Sequence, residues 1–272
     1  MQKTVGKVAA FGGVCFFTVL FWIPLLWIIL SSVKRPLDVT SYPPALIFRP
    51  SFENYIALFT TDQAGAALVT SLVASLGGMI ASMVLGTLAG YGLAKLSAQV
   101  GRQIGFYFLS TRFAPPIALA LPLFLLLGKI HLVGSLDALI VVYSLFNLPL
   151  VVWLMRQFFR DLPGEIEEAA VVDGCSDAGV FWYVALPLVA PGLVATSVLA
   201  FLFAWNEFFY ALILGGGNIT TLPVLASTFA TDRLIQWGEL SAICVVAGVP
   251  IAFFATLFQR YLLRGLTFGA VK

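Results

Sequence analysis

The chain has 272 residues, 60% of them hydrophobic and only 10% charged, with a net charge of +2 and a mean hydropathy of +1.00. These proportions lie outside the balance of a soluble domain, so the sequence reads as an all-α, polytopic membrane protein. The small positive charge belongs to loops between apolar runs and implies no affinity for nucleic acid.

A bilayer core is crossed by about 20 apolar helical residues. About six runs of that kind are present, roughly Val8–Leu30, Ala66–Ala94, Ile104–Gly128, Ala138–Met155, Val189–Leu214 and Ser241–Leu263. They are apolar on every face, whereas barrel strands alternate apolar and polar residues in segments of about ten. Lys3 and Lys7 precede the first run as they would in a secretory signal. That run is too long for a signal core and lacks a small-x-small exit, so an uncleaved first helix is expected. After it, Pro36–Asp62, rich in Pro, Ser and Thr, reads as an ordered outer loop leading through Phe48–Tyr55 to a short surface helix.

In the second run Gly77, Gly78, Gly86, Gly90 and Gly92 give the small-residue spacing that allows close helix packing. Arg112 stands inside the third run just before Pro115 and Pro116, and Asn147 stands in the fourth just before Pro149. The fifth carries Asn206, Glu207 and Tyr210. Prolines at 24, 115, 116, 122, 149 and 250 fall within runs, as expected of helices that bend around a path or rock against each other. Gly215–Thr221 opens a loop of about 25 residues before the last run, longer than a plain connector needs.

Threading the runs alternately fixes an orientation. With both termini cytoplasmic, the inner side holds Lys3, Lys7, Lys95, Arg102, Arg156, Arg160, Arg260, Arg264 and Lys272, and the outer side holds Lys34, Arg35, Arg49, Lys129 and Arg233. Cys15, Cys175 and Cys244 are too scattered for a disulfide framework, and His131 is the only histidine, so neither a disulfide nor a metal site is expected.

The inner loop at about 159–188, between the fourth and fifth runs, is acidic and amphipathic. Asp161 and Pro163 open a short helix whose first turn suits Glu165, Glu167 and Glu168, since acids there favour the helix dipole. Ile166, Ala169 and Ala170 share one face, and Asp173-Gly174 stops the helix because glycine accepts a left-handed backbone. Ser176 caps a second helix, with Val180, Phe181 and Val184 on one face, that is expected to end at Leu186-Pro187. An interfacial helix lying on an anionic leaflet is normally basic; the acidic face here favours docking onto a basic or polar cleft of a soluble protein.

Glu168-Ala169-Ala170, three residues, Gly174, nine residues and then Val184-Ala185-Leu186-Pro187 is similar to the EAA motif of the membrane subunits of bacterial ABC importers, with Val184 where that family more often has Ile. Phe203–Leu212 and the tail from Phe258 to Lys272 resemble the second permease of the carbohydrate-uptake subfamily, the maltose, glycerol-phosphate and trehalose type. The resemblance implies a type I importer permease fold whose inner loop is a coupling helix seated in the ATP-binding subunit. Glu165, Glu168, Ala169, Ala170, Asp173, Gly174, Leu186 and Pro187 would form that contact. It divides the chain into 1–65, a first helix and outer loop; 66–264, a transmembrane core; and 265–272, a cytoplasmic tail that in such permeases can reach toward the ATPase pair, a frayed and idle end being the alternative.

The implied partners are a second homologous permease, a dimer of ATP-binding subunits holding ATP and Mg, and an extracytoplasmic solute-binding protein, all serving a sugar or polyol. This chain has no G-x-x-x-x-G-K-[ST] loop of its own, so hydrolysis falls to another polypeptide and the chain is not itself an enzyme. The implied location is the bacterial cytoplasmic membrane. In related sugar permeases the last outer loop probes the binding protein, which would place Gly216, Gly217 and Asn218 at that contact; a flexible turn is the alternative.

An ionisable side chain near a helix centre costs about 2.5–3.5 kcal/mol on insertion scales, so each one needs a partner or a wet surface. Arg112, Asn147, Asn206, Glu207 and Tyr210 are the candidates for a pathway whose polar groups would meet sugar hydroxyls. Structural roles stand beside that reading. Arg112 snorkels to the inner mouth, Asn147 satisfies the backbone freed by Pro149, and Glu207 locks helices together. A different class of function, an ion-coupled secondary transporter or channel using Glu207, lacks a use for an acidic docking loop.

Overall fold

The computed structural model describes residues 2–231 and 235–267, with side chains from 11 to 259 in that range. Its regular structure there is helical, apart from one isolated bridge between Ala230 and Ile235. Four helices are long and apolar enough to cross a membrane, and two bent helix pairs bring the total to six if each pair is one span.

One compact unit comprises 1–65 and 225–250. In it α1 (Gln2–Ser32) is followed by α2 (Pro36–Val39) and α3 (Glu53–Thr60), and the first part of α14 (Trp237–Thr267) completes the unit. The outer loop is ordered as expected. Asn54 is buried and donates to the carbonyls of Ser32 and Lys34 at 2.9 and 2.8 Å, satisfying acceptors left free at the end of α1. The Lys34 ammonium, also buried, lies 4.6 Å from the Trp27 ring centre and 5.0 Å from that of Phe48. These π faces attract a cation that has left water.

The second unit comprises 66–224 and 251–272. Its helices are α4 (Ala64–Lys95), α5 (Ala98–Ser110), α6 (Pro116–Lys129), α7 (Leu136–Arg160), α8 (Gly164–Val172), α9 (Asp177–Gly179), α10 (Leu186–Leu188), α11 (Ala190–Trp205), α12 (Phe209–Leu214) and α13 (Leu222–Thr228). Its central helix, which hydropathy alone does not reveal, is α7. Half of its most apolar window is buried, against none for α1.

Lipid tails are as apolar as leucine, so helices associate in a bilayer through close packing rather than hydrophobic transfer. The α4 glycines provide it. A Cβ at Gly78 would stand 2.6 Å from Tyr143 Cβ, one at Gly86 2.6 Å from Val151 Cγ1, and one at Gly90 2.9 Å from Met155 Cβ, all on α7. Gly92 faces open space and has no such part. Two apolar clusters result along α7. One gathers Leu139, Val142 and Tyr143 with Ala204, Tyr210 and Leu214; the other gathers Val151, Met155 and Phe159 with Phe181, Ala185 and Ala200.

Two apolar runs depart from the expected form. The third, Ile104–Gly128, is two helices meeting at 89°, with a 3₁₀ turn over Thr111–Phe113 and the break at Ala114-Pro115. Consecutive prolines remove two backbone donors and bar the preceding residue from helical geometry. The fifth, Val189–Leu214, is interrupted at Asn206–Phe208 between α11 and α12.

The second loop helix does not end at Leu186-Pro187. It runs from Asp177 to Leu188 and contains a π-helical segment, Val180–Ala185, and the 75° bend comes at Val189, with Pro191 in the first turn of α11. The π segment ends just before Leu186-Pro187, the helix continues through Pro187 as others here continue through Pro122 and Pro149, and the proline at the bend is Pro191.

Candidate functional site

The inner loop folds as two helices joined by a left-handed turn. In α8, Pro163 stands at the N-cap position and Glu165 and Glu167 lie in the first turn. Gly174 adopts φ +92°, a backbone that costs an L side chain free energy but not glycine, and the Cys175 amide closes the turn onto Ala170 O at 3.0 Å. Ser176 Oγ accepts from Gly179 N at 3.2 Å, the expected N-cap.

Over its nine residues α8 buries none. Glu165, Glu168 and Ala169 are exposed, Ala170 is half-buried, and the apolar side chains Ile166, Val171 and Val172 are 42, 52 and 86% exposed. Asp173 and Gly174 are exposed as well. An apolar face that a short helix does not pack against its own chain is a surface for something else. Pro187 is exposed and Leu186 half-buried, packed against the cluster around Phe159 and Phe181. Leu186 therefore stands apart from the exposed α8 surface in environment, whereas Pro187 shares its exposure.

One acid of α8 is turned inward. Glu167 pairs with Lys95 at the end of α4 and keeps 15% of its side chain exposed. Beside this pair lies an open cleft of about 740 Å³ lined by Tyr91, Lys95, Gly164, Glu167, Glu168, Val171, Val172, Asp177 and Val180. Neither Lys95 nor Tyr91 was singled out by spacing in the sequence. The basic last residue of a long helix was the available signal, since it suits that end of the dipole.

The polar groups within the spans converge elsewhere in the same unit. Arg112, Asn147, Glu207 and Tyr210 line one small cavity of about 80 Å³, together with Tyr143, Phe146, Phe203 and Ala204. Its size suits a few water molecules. Arg112 does not snorkel along a continuous helix. It sits in the turn at the 89° bend, with its guanidinium carbon 4.4 Å from the centre of the Phe203 ring.

Glu207 lies in the break between α11 and α12, not within a helix. Its Oε1 accepts from Tyr210 N at 2.8 Å and so caps the start of α12. Irregular backbone at membrane depth survives only where it is covered by protein or borders a cavity, and this break borders one.

Asn147 does not serve the backbone near Pro149. Its Nδ2 donates to Ala200 O on α11 at 2.9 Å, tying α7 to α11. Asn206 is not brought into the cavity lining; it is exposed and donates back to Leu202 O at 2.8 Å. Tyr210 is buried, stacks on Phe146 at 4.4 Å between ring centres and donates to Pro116 O at 3.3 Å. Tyr143 was missed, although it precedes Asn147 by one helical turn on the same face of α7.

The glycine-rich outer segment is a defined turn. Gly216 and Gly217 have φ +57° and +78°, and Gly134 N donates to Leu214 O at 2.8 Å. Asn218 abuts Gly134, where a Cβ would stand 2.7 Å from its Nδ2. Gly216, Gly217 and Asn218 are exposed at the surface of this turn. Of the tail, 268–272 lie outside the described residues, and so does Arg233.

Comparison with known proteins places this geometry. Residues 82–268 match the family model described as binding-protein-dependent transport system inner membrane component. A probable ABC transporter permease protein of Sinorhizobium fredii is 33% identical over 258 residues, covering 95% of this chain and 93% of the relative. The trehalose transport system permease protein SugB of Mycobacterium tuberculosis is 36% identical over 254 residues, covering 92% of each. Among solved structures, a chain of a bacterial ABC transporter involved in import of the acidic polysaccharide alginate superposes with a TM-score of 0.76 at 21% identity, covering 96% of this chain and 98% of the other. That likeness establishes the fold, a type I importer permease fold.

Proposed function

The chain belongs to the family of binding-protein-dependent transport system inner membrane components, and we propose that it moves a sugar or polyol inward by alternating access, driven by ATP hydrolysed on a separate subunit that docks on α8. The observation that carries this reading is the exposed state of α8: three acids, Glu165, Glu168 and Asp173, and three apolar side chains, Ile166, Val171 and Val172, are all left open to contact. Such a mixed surface fits a protein cleft with basic and apolar walls, where both kinds of group find partners.

The partners are a second permease of related fold, a pair of ATP-binding subunits that hold ATP and Mg, and an extracytoplasmic solute-binding protein. Both termini lie in the cytoplasm, as the lysine and arginine distribution favours. Closure of the ATPase pair displaces α8, and the displacement passes to α7 and to the π-helical segment joined to it. Gly174 supplies the turn, and Leu186 and Pro187 anchor the far side of the loop.

A carbohydrate class is supported by the relative that carries trehalose in its name and by the cavity chemistry. A guanidinium, a carboxylate, an amide and phenols beside the aromatic faces of Phe146 and Phe203 are the groups that sugar hydroxyls and ring C–H faces meet well. In this conformation the cavity has room for water, and a solute passes when α5, α7 and α11 rearrange against the partner permease. Gly216, Gly217 and Asn218 present an outward turn for the solute-binding protein.

Ion coupling through Glu207 is less favoured, because one of its oxygens already caps α12. The test is solute uptake into vesicles carrying this chain with its partner subunits. Uptake is expected with ATP and not with a non-hydrolysable analogue; uptake driven by an ion gradient alone would overturn the proposal.

A further inference from the structure

Resting on the docking role of α8 just proposed, we infer that Lys95 and Glu167 form a strut that makes α4 move with α8, so that force applied to the loop reaches two transmembrane helices instead of one. Covalently, α8 is joined to α7 through Asp161–Pro163 and to the π-helical segment through Asp173–Ser176. Nothing in that connectivity links it to α4, which is 72 residues away at the point of contact. The link is made by side chains.

Lys95 Nζ pairs with Glu167 Oε2 and at the same time lies 5.0 Å from the Tyr91 ring centre, one helical turn earlier on α4. Tyr91 in turn packs edge-on against Phe159, with ring centres 5.0 Å apart, and at a tilt against Phe181 at 4.9 Å. Phe159 ends α7, and Phe181 belongs to the π-helical segment; both are buried. The ends of three elements therefore meet in one aromatic cluster, and the Lys95 ammonium spans from that cluster to α8.

The chemistry suits a strut. Of the α8 acids, Glu165 and Glu168 are exposed and free to meet a partner, whereas Glu167 is mostly covered. The Lys95 ammonium is held by a carboxylate and by a π face together, which restricts a side chain that otherwise swings widely. The pair stands beside an open cleft and not within a sealed core, so it can travel with α8 without breaking core packing. Lys95 and Glu167 are positioning residues here; neither touches solute or nucleotide.

The experiment uses the assembled transporter, purified through a tag on this chain together with its co-purifying subunits and reconstituted in vesicles. It reads ATP hydrolysis stimulated by the solute-binding protein, solute uptake, and the ratio of the two. Lys95→Met is expected to lower uptake per ATP by about threefold, the scale of a partly exposed pair. Lys95→Arg is expected to retain the wild-type ratio. Lys95→Glu and Glu167→Lys should each reduce it, and the double exchange should restore it, a rescue that lost packing or a lost ATPase contact would not give.

The KM for ATP should stay unchanged throughout. A bis-maleimide cross-link joining Lys95→Cys to Glu167→Cys, chosen to span the two side chains it replaces and with the native cysteines replaced by serine, should leave stimulated hydrolysis and uptake intact, because a strut holds its length. Single reversals with wild-type coupling, a double exchange no better than either single, or a cross-link of that length that halts uptake would each overturn the inference. A wild-type complex that shows no ATP-dependent uptake would instead sink the proposed function on which it rests.

Discussion

The α8 surface and the cavity around Glu207 are both polar insertions in an apolar chain, yet they are satisfied in opposite ways. Asn147, Tyr210 and Glu207 find hydrogen-bond partners within the protein, at Ala200 O, Pro116 O and Tyr210 N. Glu165, Glu168, Ile166 and Val172 find none that bury them; all are exposed on a helix with no buried residue. Polar groups inside a bilayer must be paired by their own fold, whereas groups left open on α8 remain available to another protein, as the proposed function requires. The difference separates the part of the chain that holds its own bundle together from the part that is incomplete alone.

Substitutions in the bundle should therefore damage the isolated chain, and substitutions on α8 should damage only the assembly. The largest effect is expected from Gly78→Leu. The added Cβ alone would stand 2.6 Å from Tyr143 Cβ, forcing α4 away from α7, so a loss of about 3 kcal/mol or failure to fold is expected in thermal unfolding in detergent. Glu168→Lys should leave that unfolding curve within about 0.5 kcal/mol of wild type. It should nonetheless cost the docked complex about 2 kcal/mol, read as lost co-purification of the ATPase, by placing like charge against a basic cleft.

Next in size is Glu207→Ala, which removes the cap on α12 and should cost the isolated chain about 1 kcal/mol, with Glu207→Gln close to wild type because it keeps an acceptor. Smallest is Gly174→Ala. At φ +92° a methyl group strains the turn by about 1 kcal/mol at most, confined to the loop, so the helices of the bundle should melt as in wild type while amide exchange in α8 rises. If Glu168→Lys unfolded the chain, or Glu207→Ala spared the chain and released the ATPase, the division between the two regions would fail.

The spans and the acidic loop were legible in the sequence because hydropathy over some 20 residues and the sign of clustered charge are strong, local signals. Family membership was legible too, from Glu168, Gly174 and Leu186-Pro187 at fixed spacing. The bends were not. Pro115-Pro116 marked a break but not its 89° angle, and Leu186-Pro187 looked like a stop although the helix runs on through it after a π segment that has no sequence signature.

The cavity was only partly readable. Arg112, Asn147, Glu207 and Tyr210 stood out one by one as polar residues in apolar runs, but their convergence depends on how α5, α7 and α11 pack. Tyr143 went unnoticed because tyrosine in a span is unremarkable until its neighbours are known. Lys95 and Glu167 meet across 72 residues of chain, and no local pattern announces such a pair.

The most direct test of the central claim, that α8 is completed by another subunit, is maleimide labelling of Val172→Cys in a chain whose Cys15, Cys175 and Cys244 have been replaced by serine. Val172 is 86% exposed in the chain alone. Fast labelling of the isolated chain and strong protection in the assembled transporter are predicted. Equal labelling in both states would contradict the account.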